Sequence, residues 1–376
     1  MRLILLWGFI VSFLFLPLPT AAQDFKTFKP RPSQNTELNY EYLDYVLDNI
    51  VIDLGLSDRE RRLNRPDGVF TVRHTETVGH KSPFRMEGSR ILFNNLPRDF
   101  APRVSEYRVD LQKIGSDLPI QSLSRNEQLA YWFNLHNIAL IELMAKEHPF
   151  KRIDRLTIGP EKLNIHDVKF IEVQNSQLSL RDIREKIIYP NWNNPDVIYG
   201  FFLGDIGGPS LRTQAYTGDN VATLLDMGAN EFTNSLRGFE QFKGKLNVSQ
   251  LYVDVYNFYF PDFQKDLRTH FKTHMRPEVF LMASAAQDFT IGKYYTNAAS
   301  VSAGRSQPRF NNNIINSTEF PSLDTLYTTQ DLRDSKSALA DLLLQLGEKR
   351  RKLRDLGLLD GEVIIEVIPT EDKEVK

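Results

Sequence analysis

Three groups of residues have types and spacings that could do chemistry. His270 and His274 stand at i, i+4, which puts two imidazoles on one face of a helix as in zinc sites. No Glu follows the first His, as the metalloprotease motif requires, and Lys265, Arg268 and Lys272 crowd the segment with positive charge. The pair is therefore read as part of a solvated helix, with a metal as the weaker alternative. The second group is the loop Gly204, Asp205, Ile206, Gly207, Gly208, Pro209, which follows the apolar run VIYGFFL at 197–203. Glycine lets backbone approach a ligand closely, and a helix N-terminus beyond such a loop favours anions. The loop is neither a phosphate loop, since no Gly-Lys-Ser/Thr follows, nor the dinucleotide fingerprint. Asp205 and Glu185 would serve a hydrolase as an acid/base pair, with Arg212 as an oxyanion or carboxylate clamp and Ser210 as the alternative hydroxyl. For glycoside chemistry those carboxylates must converge to about 5–9.5 Å. The third group is Asn134 and Asn137, one helical turn apart. They either clamp the backbone of a neighbouring segment or line a pocket, and buried amides are most often hydrogen-bonded structure. His136 beside them is read as a core or rim histidine rather than a base.

The chain contains no cysteine. That excludes a thiolate nucleophile, a zinc–thiolate site, an iron–sulfur cluster and a lipid-modified N-terminal cysteine. It also leaves the stability to a large core, although residues 1–22 have the form of an export signal: Arg2, an apolar segment, then Thr20-Ala21-Ala22 before Gln23. Removing that segment leaves 45 Lys plus Arg against 48 Asp plus Glu, a charge of −3, with no basic face for nucleic acid. The expected location is the periplasm or the exterior, with no membrane anchor left after the signal is removed.

The elements that must position these residues are organised around residues 123–149. Ser124 and Glu127 form the reciprocal capping pattern of a helix start, and from Leu129 to Ala145 the residues are apolar nearly all round. This predicts a central buried helix. Residues 23–36 are read as a mobile leader and 37–54 as an amphipathic helix. The basic run RERRLNR at 59–65 is read as a solvated face, and 69–77 as strand-like. Residues 103–114 predict a helix ended by Gly115. Strands are expected at 153–158, 169–173 and above all 197–203; helices at 179–188 and 220–236; helix or strand at 251–263. Residues 306–328 form a connector, and 329–376 an appendage of a charged helix and a strand (362–368) that docks on its own chain or serves as an oligomer contact through 329–354. The fold class expected is α/β (α+β), a mixed sheet packed against the buried central helix in one domain over 37–305.

Three stretches, LSRNEQLAYWFNLHNIALI at 123–141, LSLRDIREKII at 178–188 and VIYGFFLGDIGGPSLRTQAY at 197–216, resemble in order and spacing the family known as domain of unknown function 547. The likeness spans about residues 37–300. It implies an α/β fold, distantly of the papain or transglutaminase type, and in typical members a Cys-Pro-x-Leu-Arg motif with a histidine in the second stretch. Here Gly208 stands where that cysteine would be and Glu185 near where the histidine would be, while Asn134, Asn137, Arg212 and Tyr216 are retained. The expectation is a non-catalytic exported protein, without cofactor, that binds a peptide, glycan or protein partner at a cleft bordered by Asn134, Asn137, Asp205, Gly208, Arg212 and Tyr216. A hydrolase using Asp205, Glu185 or Ser210 is the alternative. A hydroxyl at Ser210 meeting His136 or His166 would favour it.

Overall fold

The computed structural model describes residues 25–62, 68–70, 75–77, 79–285, 288–304 and 338–359. The expected signal, the 306–328 connector and the strand at 362–368 lie outside them. A short 3-10 turn, Phe25–Phe28, opens the described chain. It corrects the mobile-leader expectation, because Phe28 is buried edge-on against Trp132, ring centroids 5.3 Å apart, and Arg31 N–H donates to Gln121 O at 2.6 Å.

Helix α1 (Glu41–Ile50) buries Leu43, Val46, Leu47 and Ile50 and runs into strand β1 (Val51–Asp53). Strands β2 (Gly68–Phe70) and β3 (Thr75–Thr77) form a hairpin, and β4 (Ser89–Ile91) pairs antiparallel with β1. Helix α2 (Phe100–Asp117) passes through Gly115 rather than ending there. The Tyr131 ring lies where a side chain at 115 would be, so this glycine serves helix packing, not termination.

Helix α3 (Arg125–Glu147) is the expected centre: every residue from Glu127 to Met144 is buried. The Ser124 hydroxyl accepts from Glu127 N–H at 3.2 Å, but the box is not reciprocal. The Glu127 carboxylate instead accepts from Leu38 N–H and Gly218 N–H, at 3.1 and 2.9 Å, joining three distant stretches. Glu142, equally buried, is neutralised by Arg108, Lys146 and the Ser105 hydroxyl.

Beyond α3, two hairpins follow, β5 (Thr157–Ile158) with β6 (Leu163–Asn164) and β7 (Ile171–Val173) with β8 (Ser176–Leu178). Helix α4 (Leu180–Asp182), capped reciprocally by Ser179 and Asp182, continues as a π-helical stretch, Ile183–Ile188. Helix α5 (Val221–Thr233) precedes strands β9 (Phe239–Phe242) and β10 (Lys245–Val248). Helices α6 (Gln250–Asp254), α7 (Tyr256–Tyr259), α8 (Phe263–His274) and α9 (Pro277–Ser284) lead to β11 (Thr290–Ile291), which adds parallel to β10. The architecture is α/β with small sheets. The mixed sheet of β9, β10 and β11 is not the layer that encloses the central helix, as expected; α2, α5 and the 180–188 stretch lie against α3.

The apolar run 197–203 is buried but is not a strand. It begins as a 3-10 helix, Pro195–Gly200, and then extends. The reason is the partner. Asn137 Nδ2 donates to Gly200 O at 3.0 Å and its Oδ1 accepts from Phe202 N–H at 3.0 Å, so one side-chain amide replaces the neighbouring strand. Asn134 treats Tyr216 alike, donating to its carbonyl at 2.7 Å and accepting from its N–H at 2.9 Å. The expectation that these amides clamp backbone describes both residues.

Helix α10 (Ala338–Asp355) lays Ala338, Leu342 and Leu346 on Ile52, Leu54, Met86 and Val301. The apolar face considered as an oligomer contact is thus used within its own chain. Buried Lys349 donates to Leu54 O at 2.8 Å and Met86 O at 2.7 Å. No helix among the described residues is long and apolar enough to cross a membrane.

Two measurements check this account. Replacing Asn137 by Ala strands a buried carbonyl and a buried N–H, and urea unfolding should show a loss of about 2–5 kcal/mol. Burial pushes the Lys349 ammonium from 10.5 down to about 8. Between those pH values the unfolded chain holds a proton the folded chain has released, so the lysine's contribution makes stability rise with pH across that window. Lys349→Met should flatten the rise and, at neutral pH, speed amide exchange in α10.

Candidate functional site

The turn after Leu203 is built by one carboxylate. Gly204 takes φ +82°, and Asp205 folds back so that Oδ1 accepts from Gly207 N–H at 3.1 Å, Gly208 N–H at 2.8 Å and the Tyr294 hydroxyl at 3.0 Å. Backbone bonds from Ile206 N–H to Asn297 O and from Ala299 N–H to Gly204 O tie the turn to the segment after β11. A side chain at Gly207 would strike the Tyr295 backbone at 2.9 Å, so that glycine is required for a close approach of two chains. At Gly208 a Cβ would sit 3.0 Å from the Tyr294 hydroxyl and 3.2 Å from Asp205 Oδ1. The position is tight but not closed.

The remaining polar groups of the turn are matched to one another. Ser210 donates to Glu231 Oε2 at 2.8 Å, and Arg237 bonds both Glu231 and the Gly208 carbonyl. Leu211 N–H donates to Ser89 Oγ at 2.9 Å. Burial raises the Asp205 carboxyl to about 7, against the opposing pull of Tyr294, the two glycine N–H groups and Arg237. Asp205 is 5% exposed, and beside the turn lies a small pocket lined by Phe84, Gly207, Arg237, Glu240, Tyr294 and Tyr295. Its free interior is about 10 Å³, room for one water-sized group.

The structure gathers only some of the residues singled out in the sequence. Asp205 and Gly208 meet at the turn. Asn137 and Asn134 hold the entry and exit of the segment that carries it, at Gly200 and Phe202 and at Tyr216, and have both ends of their amides committed to backbone. Tyr216 is buried and Arg212 half-buried. Glu185 sits on the π-helical stretch, bonded to Arg181 at 3.1 Å, and is not among the groups bonded to Asp205. His136 is sealed in the core with Nε2 2.9 Å from Arg184, which also lies 3.4 Å from His166 Nδ1. Burial, then the Arg184 charge, holds both imidazoles well below 6.5 and so neutral.

His270 and His274 are buried rather than solvated. The buried face of α8 is Leu267, His270, Phe271 and His274; Lys265, Arg268 and Lys272 fall outside it, and Arg268 donates to Ala283 O. Asp196, from the Pro195–Gly200 turn, completes a cluster whose donor atoms all lie within 4.8 Å of one another. Tyr199 places its hydroxyl 2.7 Å from His270 Nε2, a hydroxyl–imidazole contact made in the core and not by Ser210.

Sequence reasoning missed Arg237, Glu231, Tyr294, Arg184 and Asp196. Their partners lie from 6 to 89 positions away, with no local pattern to mark them.

Residues 120–233 match the family model described as "Protein of unknown function, DUF547", a span that runs from just before α3 to the end of α5 and includes the turn. Neither the comparison with curated proteins nor that with solved structures found a match.

The raised carboxyl gives a pH test. Between 3.8 and about 7 the folded chain keeps a proton that the unfolded chain has lost, so Asp205 makes stability fall as pH rises through that window. Asp205→Asn keeps an acceptor for the two N–H groups but does not titrate. Relative to wild type it should gain on the order of 2–4 kcal/mol from pH 4 to pH 7.5 in denaturant midpoints; a constant difference contradicts the assignment.

Proposed function

With residues 120–233 placing this chain in the DUF547 family, we propose that it is an exported, non-catalytic member that holds a peptide, glycan or protein partner against the surface beside the Gly207–Gly208 turn. The observation that carries this reading is the commitment of the polar groups around Gly208 to one another, together with the lack of a side chain at Gly208, where the resemblance implies a cysteine. A group already accepting three hydrogen bonds, as Asp205 does, is poorly placed to relay protons to a substrate. The size of the pocket points the same way. Small-molecule sites enclose about 300–1,000 Å³, whereas this one takes a single side-chain tip or sugar hydroxyl. Phe84 and Tyr295, edge to face at 5.1 Å, and the Lys293 ammonium over Tyr295 provide aromatic and charged contacts for a chain passing across it. Export rests on the 1–22 segment.

A hydrolase is the second reading, favoured by the carboxyl of Asp205 titrating near 7. It lacks a partner group, since Glu185 is bonded to Arg181 and Ser210 to Glu231.

One experiment separates them. The exported protein, its N-terminus sequenced and expected near Gln23, is assayed on ester, peptide and glycoside substrates beside Asp205→Asn and Ser210→Ala, and on peptide and glycan arrays beside Tyr295→Ala. Equal background turnover in all three, with array binding weakened at least tenfold by Tyr295→Ala, supports a binding protein. Turnover that disappears with Asp205→Asn or Ser210→Ala overturns it.

A further inference from the structure

The cluster of Asp196, His270 and His274 lies outside the turn and plays no part in the reading above. Its three donors come from two elements: Asp196 from the Pro195–Gly200 turn and both imidazoles from the buried face of α8. His274 Nε2 is 3.0 Å and His270 Nδ1 3.8 Å from the same oxygen, Asp196 Oδ1. A tetrahedral zinc with bonds of about 2.0–2.2 Å sets its ligand atoms roughly 3.4 Å apart; the two Asp196 separations fall on either side of that value, and all three donors lie within 4.8 Å of one another, so binding draws the set together.

Hydrogen bonding explains the cluster poorly. Asp196 Oδ1 and His274 Nδ1 are both buried without a hydrogen bond of good geometry, although His274 Nε2 lies 3.0 Å from the first and Asp226 Oδ1 3.4 Å from the second. Unmatched polar atoms of this kind are rare in cores. Two carboxylates face the rings, Asp196 and, 3.4 Å from His274 Nδ1, Asp226 of α5. The lysines that argued against a metal in the sequence lie off this face of α8.

We propose that Asp196, His270 and His274 bind one divalent transition ion of the zinc class, which braces the 195–200 turn and α8 together. His270 coordinates through Nδ1, because Nε2 faces the Tyr199 hydroxyl at 2.7 Å and donates its proton there; Tyr199 in turn lies 3.3 Å from the Tyr252 hydroxyl, which receives the Tyr199 proton. His274 coordinates through Nε2, and its Nδ1–H turns to Asp226, the carboxylate–histidine–metal arrangement that fixes ring orientation. A fourth position is left to water. The ion supplies the cross-link that the cysteine-free chain has no disulfide to make.

The test uses the full chain, stripped with chelator and titrated with Zn²⁺ by calorimetry and with Co²⁺ by visible absorption. One equivalent should bind, Co²⁺ should give the intense absorption of a tetrahedral site, and Zn²⁺ should raise the thermal midpoint. Asp196→Asn, nearly isosteric, should weaken binding more than about 100-fold and Asp226→Asn about tenfold. If Asp196→Asn does not fold, His274→Gln is read in its place. Zinc affinity unchanged by these substitutions, or no binding to stripped wild-type protein that circular dichroism shows to be folded, overturns the site.

Discussion

Two buried amides, one turn apart on the central helix, hold the whole segment that carries the turn. Each asparagine presents a donor and an acceptor to one stretch of backbone, which is what a neighbouring strand would do. Asn137 receives the chain at Gly200 and Phe202, and Asn134 releases it at Tyr216. The 200–216 segment can therefore be irregular and still be buried, since its backbone is paired without belonging to a sheet. The helical motif and the glycine-containing motif are thereby bonded to each other at both ends of the segment.

The same economy governs the charges. With no disulfide available, the core is tied by ionised and polar groups that reach between distant stretches. Glu127 joins Leu38, ahead of α1, to Gly218, ahead of α5, Glu142 binds Arg108, and Glu231 with Arg237 closes over Ser210 and Gly208. Removing one member of such a pair leaves the other buried and unmatched, which costs more than the pair itself contributes. Arg59 follows the pattern: it lies in the basic run read as a solvated face, yet donates to the carbonyls of Asn234 and Phe239.

Much of the scaffold was legible because its signals are local. The Ser124 cap, the nearly all-apolar run of residues 129–145 and the helix start at Ser179 depend on residues within a few positions of one another, and each marks a helix that forms. The misreadings share a different cause. Residues 197–203 have a strand's composition, but strand formation needs a partner strand, and the partner here is a side chain 63 to 65 positions upstream. Gly115 looks like a helix end until the Tyr131 ring is placed against it. His270 and His274 look solvated beside three basic residues, yet helix rotation puts those charges on the other side.

The sequence by itself determined the central buried helix, the chemistry barred by having no cysteine, and the glycine that stands at position 208. These follow from residue type or from spacing within a turn or two, and no tertiary arrangement changes them. Only the tertiary structure decided that Asp205 is enclosed by its own turn, that Ser210 belongs to Glu231 rather than to a histidine, and that Asp196 joins two imidazoles from α8. A buried polar atom acquires its role from whichever partner the packed chain brings within about 3 Å, and distance in space along a folded backbone is not encoded in distance along the chain.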